Sequence, residues 1–383
     1  MIMGITENFK DLLLILVKNN KFLSPFYIKK AFSALFYALF GSRRASRHGP
    51  LRLQIEITDL CNFDCVMCDR HNLKKIRTLN HSISYKKFKV LVEEIKPLYL
   101  TLNGLGEPLL NKELFKFLKL CNEKRITTSI PSNMSLMNEE NINKLIENLP
   151  SILTFSFHAP EPSLFNSITL SKSFQQSVDN FEKLLSLLKN TSKHIDIRIL
   201  CVLQATNLEQ YNAMFEYLKK WDLLDSFRLE PVFDFVPYQN VVPSKEKVAK
   251  VLQSLNEELK KTKKEEKRTF LNNWKEKLLE LYERTHLKNE APCLTPWIST
   301  YITATGKVLP CCYLTNEKYV MGNINQNSFL DIWNGTKYQN FRSSLIHSRK
   351  NIEECYRCYW NDMHRVKLYR LLMLGYSRWN SVI

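Results

Sequence analysis

The chain has 383 residues and 44% hydrophobic content, ample for one large domain and a smaller one. Its 55 lysines and arginines against 38 acidic residues give a formal net charge of +17, which suits an anionic partner such as phosphate, lipid headgroup or nucleic acid. The clustered part, Lys260, Lys261, Lys263, Lys264, Lys267 and Arg268, is interrupted by Glu265 and Glu266 and has no interleaved aromatics, which fits a solvated helix face and argues against a nucleic-acid platform.

Residues 1–49 read as an N-terminal amphipathic helical segment. Residues 12–17 are too short to span a bilayer, and residues 22–40 are interrupted by Pro25, Lys29 and Lys30. Phe32, Leu35, Phe36 and Leu39 recur at helical spacing, with Arg43, Arg44 and Arg47 just beyond. Packing against the main domain explains this stripe as well as peripheral contact with a membrane surface does. Of ten cysteines, eight fall into two ligand-like groups, and no secretory leader precedes them, so a reducing cytoplasm is expected rather than a disulfide framework. Cys121 and Cys201 lie in apolar runs and are expected to be buried thiols.

Residues 50–242 alternate between short apolar runs and helical patterns. Strand 51–57 leads into a cysteine loop; helix 85–95 follows, with Ser84 as N-cap. Then come strand 99–102, helix 112–121, strand 127–131, helix 139–147 and strand 152–157. Helix 178–188, strand 195–203, helix 209–221 and strand 227–229 complete the series. This α/β alternation predicts a parallel sheet with right-handed crossovers.

The first cysteine group, Cys61, Cys65 and Cys68, lies in Thr-Asp-Leu-Cys-Asn-Phe-Asp-Cys-Val-Met-Cys-Asp. Three thiolates at that spacing close a tight loop around one four-iron cube, which takes four ligands, and leave one iron open to a small molecule. The alternative is a structural zinc loop, but no fourth ligand follows nearby. The loop resembles the signature of the radical S-adenosylmethionine (SAM) enzymes. That resemblance implies that the open iron chelates the amino and carboxylate groups of SAM. Reductive cleavage then gives a 5′-deoxyadenosyl radical that abstracts hydrogen from a substrate. Met67 stands where the family usually has an aromatic residue; a soft apolar side chain can still pack on adenine.

The resemblance extends to fold and site. It implies a partial TIM-type (β/α)6 barrel with its chemistry at the carboxyl ends of the strands. Asn103-Gly104-Leu105-Gly106-Glu107-Pro108 is similar to the family's Gly-Gly-Glu motif, where bared glycine backbone approaches the methionyl amino group. Asn133 occupies a ribose- or carboxylate-contact position, beside Ser132. Ser156-Phe157-His158 resembles a Ser-x-Asp pattern with His158 in place of the acid, available to a ribose hydroxyl or to the substrate. Arg198 is a candidate bidentate partner for the SAM carboxylate.

Residues 243–290 form a charged helical connector. Residues 291–365 then carry Cys293, the hairpin turn Thr305-Gly306, Cys311-Cys312 and Cys355-Tyr-Arg-Cys358. This succession resembles the SPASM domain, an accessory iron–sulfur module of many radical SAM enzymes; residues 366–383 are a basic tail. Full-length SPASM domains hold two auxiliary clusters, whereas Cys293, Cys311, Cys355 and Cys358 suffice for one [4Fe-4S] cluster without an open iron. A zinc site built from four thiolates is the alternative. Cys312 is left over as a spare, an alternative ligand or a hydrogen-atom donor.

The expectation is a radical SAM enzyme with one catalytic [4Fe-4S] cluster and one auxiliary cluster. An electron donor of the reductase, flavodoxin or ferredoxin type is implied. Substrates compatible with the resemblance are peptide or protein side chains and sugar-type alcohols, with oxidation or epimerisation as the outcome. A lipid or glycolipid precursor at the membrane is a rival substrate, and a zinc-binding scaffold is the rival outside catalysis.

Overall fold

The computed structural model describes residues 24–39, 42–76, 78–232, 241–284, 293–346 and 348–358. The expected apolar run at 12–17 and the basic tail at 366–383 lie outside the described residues, as does the end of the connector.

One sheet organises the molecule. Six parallel strands are β1 (Arg52–Ile55), β2 (Tyr99–Leu102), β3 (Thr127–Ser132), β4 (Ile152–Ser156), β5 (Asp196–Leu203) and β6 (Phe227–Pro231). They pair in sequence order, with Leu53 beside Leu100, Leu100 beside Thr128 and Phe155 beside Ile199. Alternation decides which face each residue serves. Leu53, Ile55, Leu100, Leu102, Ile199 and Cys201 are buried in the main core, whereas Gln54, Thr101 and Arg198 on the opposite face are only half-buried. Phe155, Phe181 and Trp221 pack as an aromatic wedge between the sheet and the crossover helices.

The helices between strands begin and end at recognisable chemistry. Helix α1 is Pro25–Leu39, α2 is Asp69–Ile76, and α3 (Tyr85–Ile95) is capped by Ser84 Oγ accepting from Lys87 N. Helices α4 (Leu114–Glu123), α5 (Glu139–Glu147), α6 (Pro162–Thr169), α7 (Phe174–Lys189) and α8 (Tyr211–Trp221) follow. Helices α2 and α6 are additional to the sequence expectation; each has eight residues, too few for a helical period to stand out. Helix α7 starts four residues before the expected 178, because Phe174 and Ser177 are buried on the same face as Val178 and Phe181. Cys121 and Cys201 are fully buried, as expected.

Two long helices, α9 (Lys245–Lys261) and α10 (Glu265–Arg284), bring Phe270 and Trp274 onto Phe227 of β6. Beyond them, the short helix α11 (Thr295–Ile298) leads into β7 (Ser299–Ile302), which pairs in parallel with β1, with Tyr301 beside Gln54. β8 (Lys307–Leu309) and β9 (Gly322–Asn323) add antiparallel, so the second cysteine region extends the same nine-stranded sheet. The expected turn is present: Gly306 has φ +86°, a conformation glycine adopts without a Cβ penalty. Helices α12 (Phe329–Asn334), α13 (Thr336–Leu345) and α14 (Glu353–Tyr356) complete the fold. Arg342 is buried between the Trp333 and Tyr338 rings, 4.3 and 4.1 Å away, and donates to the Pro296 and Trp333 carbonyls.

Helix α1 docks by one face. Ala31 and Ala34 pack on Leu51 and Leu98, and the buried Lys30 ammonium donates to the carbonyls of Ile95 and Lys96 at the end of α3. The side chains of Leu35 and Leu39 lie outside the described residues. Among the described residues no helix is long and apolar enough to cross a membrane.

Candidate active site

The cysteine loop leaves the carboxyl end of β1 and is held mainly by backbone. Asp64 N and Val66 N donate to the carbonyls of Thr169 and Ile168, satisfying groups that the last turn of α6 leaves open. Phe63 meets Phe165 edge-to-face, Arg70 Nε donates to Asp59 O at 3.1 Å, and Asp59 pairs with His81 at 2.8 Å. Cys61, Cys65 and Cys68 are outside any disulfide and half-buried. Burial pushes the Cys61 thiol up to about 11 and Cys68 up to about 12. Cys65 rises by burial and then by the nearby charges of Cys68 and Cys61, so the three sulfurs share one low-dielectric neighbourhood. Such thiols ionise only when a strongly cationic group joins them, and soft sulfur donors suit iron. Among the described residues no group of three or more His, Cys, Asp or Glu is arranged to hold a single metal ion.

The glycine turn after β2 lies directly on this loop. A Cβ on Gly106 would stand 2.2 Å from the Thr58 carbonyl oxygen and 2.6 Å from that of Leu60; one on Gly104 would stand 2.5 Å from the Glu56 side chain. Close approach therefore requires glycine at both positions. Glu107 N donates to Leu60 O at 2.8 Å, and the Glu107 carboxylate accepts from Ser132 Oγ and from Leu109 and Asn133 N. Burial nonetheless pushes Glu107 up to about 7. Asn133 reaches back into the cysteine loop: its Nδ2 donates to Asn62 Oδ1 at 3.0 Å, and Asn62 Nδ2 donates to Ser135 Oγ at 2.8 Å.

Glu56 is the main addition to the predicted set. It is 2% exposed and accepts from Leu105 N at 2.7 Å, Tyr301 Oη at 2.8 Å and Ala304 N at 3.0 Å. One carboxylate thus fastens β1, the glycine turn and the β7–β8 hairpin; burial raises its proton affinity despite these bonds. Two buried acceptors at strand ends, Asn103 Oδ1 and Gln204 Oε1, have no hydrogen-bond partner among the described residues. Unmatched acceptors at the carboxyl ends of β2 and β5 fit a ligand that brings its own donors, as the SAM ammonium and ribose hydroxyls would.

The remaining predicted residues differ in placement. Met67 is partly buried against the core beside its loop, and Ser156 is half-buried at the end of β4. His158 is 6% exposed, and its Nδ1 accepts from Val202 N at 3.2 Å, which leaves the ring proton on Nε2. Burial pushes its pKa down to about 4. Arg198 sits elsewhere. It is the third residue of β5, and its guanidinium grips Asp196 at 2.9 and 2.6 Å, so the SAM-carboxylate role finds no support in its position.

In the second cysteine region, Cys355 has its proton affinity raised by burial and then by Cys293, Cys311 and Cys358, so these four thiols share one neighbourhood. Cys358 N donates to Cys355 O at 3.2 Å. Arg349, 2% exposed, donates to Cys358 O at 3.5 Å, and its positive charge acts on Cys311 and Cys355. Four soft donors with a buried counter-charge fit an iron–sulfur cluster. Cys312 hydrogen-bonds Cys311, which pushes it down and Cys311 up, and it also contacts the side chain of Gln54 on β1. It therefore links the second cysteine region to β1.

Comparison with known proteins agrees with this layout. Residues 55–203 match the Radical SAM superfamily, and residues 293–359 match SPASM, an iron–sulfur cluster-binding domain. The chain is 25% identical over 346 residues to a cysteine-type anaerobic sulfatase-maturating enzyme of Clostridium perfringens, covering 81% of this chain and 86% of that one. A 72-residue stretch is 35% identical to an S-adenosyl-L-methionine-dependent 2-deoxy-scyllo-inosamine dehydrogenase of Niallia circulans, spanning 18% of this chain but only 29% of the length of that relative. In fold, the chain resembles anSMEcpe with bound AdoMet (TM-score 0.57, 20% identity, 82% of this chain and 85% of that one). It also resembles Streptococcus suis SuiB bound to S-adenosylmethionine (TM-score 0.55, 16% identity, 77% and 68%).

Proposed function

We propose that this chain, which belongs to the radical SAM superfamily and carries a SPASM iron–sulfur domain, modifies a peptide or protein side chain. The bound cluster and SAM would supply a 5′-deoxyadenosyl radical that abstracts hydrogen from that side chain. The observation that carries the reading is the trio Cys61, Cys65 and Cys68, thiols sharing one buried neighbourhood on a loop whose first residues, Thr58 and Leu60, lie against the glycine turn. A protein or peptide substrate is favoured over a sugar alcohol by the 346-residue likeness to a sulfatase-maturating enzyme and by the SuiB fold, one form of which is described bound to its precursor peptide SuiA.

In this reading each site residue takes a role. Cys61, Cys65 and Cys68 hold the catalytic cluster, and Cys293, Cys311, Cys355 and Cys358 the auxiliary one. The backbone of Gly104 and Gly106 accommodates the methionyl end of SAM, while Glu107 holds the glycine turn against the end of β3. Asn133 and Ser156 face the nucleoside, and Met67 packs on its adenine. His158, neutral at pH 7, offers Nε2–H to a ribose or substrate hydroxyl. An electron leaving the substrate radical toward the auxiliary site gives oxidation; a hydrogen atom returned by Cys312 gives epimerisation. A reductase or a flavodoxin- or ferredoxin-type protein would provide reducing equivalents in a cytoplasmic setting. A lipid or glycolipid precursor is the second reading, favoured by the outward face of α1.

Anaerobic reconstitution tests the core of this reading. It requires broad visible absorbance, about eight irons per chain for two four-iron clusters and reductant-dependent 5′-deoxyadenosine. Colourless, zinc-loaded protein that leaves SAM intact overturns it. With a substrate in hand, a product lighter by two hydrogens marks oxidation, and deuterium gained from D2O at a stereocentre marks epimerisation.

A further inference from the structure

The outward face of α1 has a use that the active site does not explain. Ile28, Phe32 and Phe36 are 49%, 71% and 45% exposed, among the most exposed large apolar side chains described. At helical spacing they fall with Lys29 inside an arc of about 100°. The opposite side, Lys30, Ala31 and Ala34, is the docked face. Among the described residues the stripe lies off the docked face.

The loop after α1 returns along the edge of this stripe. Ser42 N donates to Tyr37 O at 3.1 Å, Ser33 Oγ donates to Ser46 Oγ at 2.9 Å, and Phe26 meets His48 edge-on at 5.3 Å. These contacts lie on the flank adjoining Phe36 and Lys29. The loop presents Arg43, Arg44 and Arg47, all exposed, beside the apolar row. His48 senses this field: burial lowers its pKa first, then Lys30, Lys29 and Arg47. Earlier in the sequence, apolar residues 12–17 stand among Lys10, Lys18 and Lys21, and the whole chain carries +17.

We infer that α1 and the loop at 42–48 form a docking face for an anionic lipid bilayer, with Phe32 and Phe36 entering the acyl boundary and Arg43, Arg44 and Arg47 meeting headgroup phosphates. An apolar row edged by exposed cations matches a surface-lying amphipathic helix. The docked face remains on Leu51 and Leu98 throughout, so binding needs no unfolding.

Co-sedimentation of the full chain with vesicles tests this. Vesicles of phosphatidylcholine with phosphatidylglycerol should retain the protein, and pure phosphatidylcholine vesicles should retain far less. Phe32→Ser with Phe36→Ser should weaken retention at least tenfold, and Arg43→Glu with Arg44→Glu should weaken it and flatten its salt dependence. Reductive cleavage of SAM should be unchanged in both double variants, which separates this inference from the active-site reading. Wild-type protein that ignores anionic vesicles, or binds them equally with Ser at 32 and 36, overturns the proposal. So does a dimer in solution that the Phe32→Ser, Phe36→Ser variant dissociates, because the face would then belong to a second copy.

Discussion

The two thiol centres are built on opposite plans. Cys61, Cys65 and Cys68 come from one eight-residue stretch whose backbone is tied to the end of α6 and to the glycine turn. Cys293, Cys311, Cys355 and Cys358 come from three stretches separated by long segments and are brought together by tertiary packing, with Arg349 buried among them. A preformed local loop can offer a cluster while leaving one metal corner to a ligand. A dispersed set of four closes its metal completely and makes cluster binding part of folding. The first plan suits chemistry, and the second suits structure and electron transfer.

The largest effect should come from breaking the local loop. Cys61→Ala, Cys65→Ala or Cys68→Ala is expected to take 5′-deoxyadenosine formation below detection while iron content falls by about half, since one of two four-iron sites is lost. Loss of all iron would show that the two centres assemble as one. Cys355→Ala should do the converse, lowering the thermal midpoint on the order of 10 °C while SAM cleavage without substrate persists. An unchanged melting curve would remove the folding role from the second centre.

Gly106→Ala tests how closely the turn must approach the loop. The added methyl meets backbone oxygens that cannot swing aside, so SAM affinity, read by calorimetry, should fall about 100-fold. An affinity within twofold of wild type would refute the need for that approach. Glu107 gives a pH handle. Its folded value, about 7, lies above the ordinary 4.5, so its stabilising contribution is complete below about 4.5 and is lost as pH rises through 7. Apoprotein should therefore lose roughly 3 kcal/mol of stability across that window relative to Glu107→Gln, in denaturant titrations. Parallel pH profiles would count against it. The smallest effect is expected at the second centre, where Arg349→Gln should lower the auxiliary cluster's reduction potential by tens of millivolts at constant iron content. An EPR redox titration with no shift would show that the guanidinium does not tune the cluster.

Legibility in the sequence followed range. The cysteine loop, the glycine turn and strands β1 to β6 were readable because their signals are short and periodic. Ser84 was readable as a cap for the same reason. Pairing of β7 with β1 was not, because two strands almost 250 residues apart carry no local mark of adjacency. Glu56 falls inside the expected strand 51–57 with no local mark of a role; only the sheet reveals that it receives donors from Leu105, Tyr301 and Ala304. The pairing of Arg198 with Asp196 was open to reading, since Asp196 lies two residues away and therefore on the same face of the strand. Arg349, in a run of polar residues, gave no hint of burial beside four thiols.

The seam between β1 and β7 has a practical consequence for dissecting the molecule. A fragment ending before residue 293 would leave β1, the strand that leads into the first cysteine loop, as an unprotected border with open amides and a buried acid stripped of two partners. Such a half-molecule would invite strand-to-strand aggregation, so the C-terminal module acts as a guard rail for the very edge that carries the first thiol group.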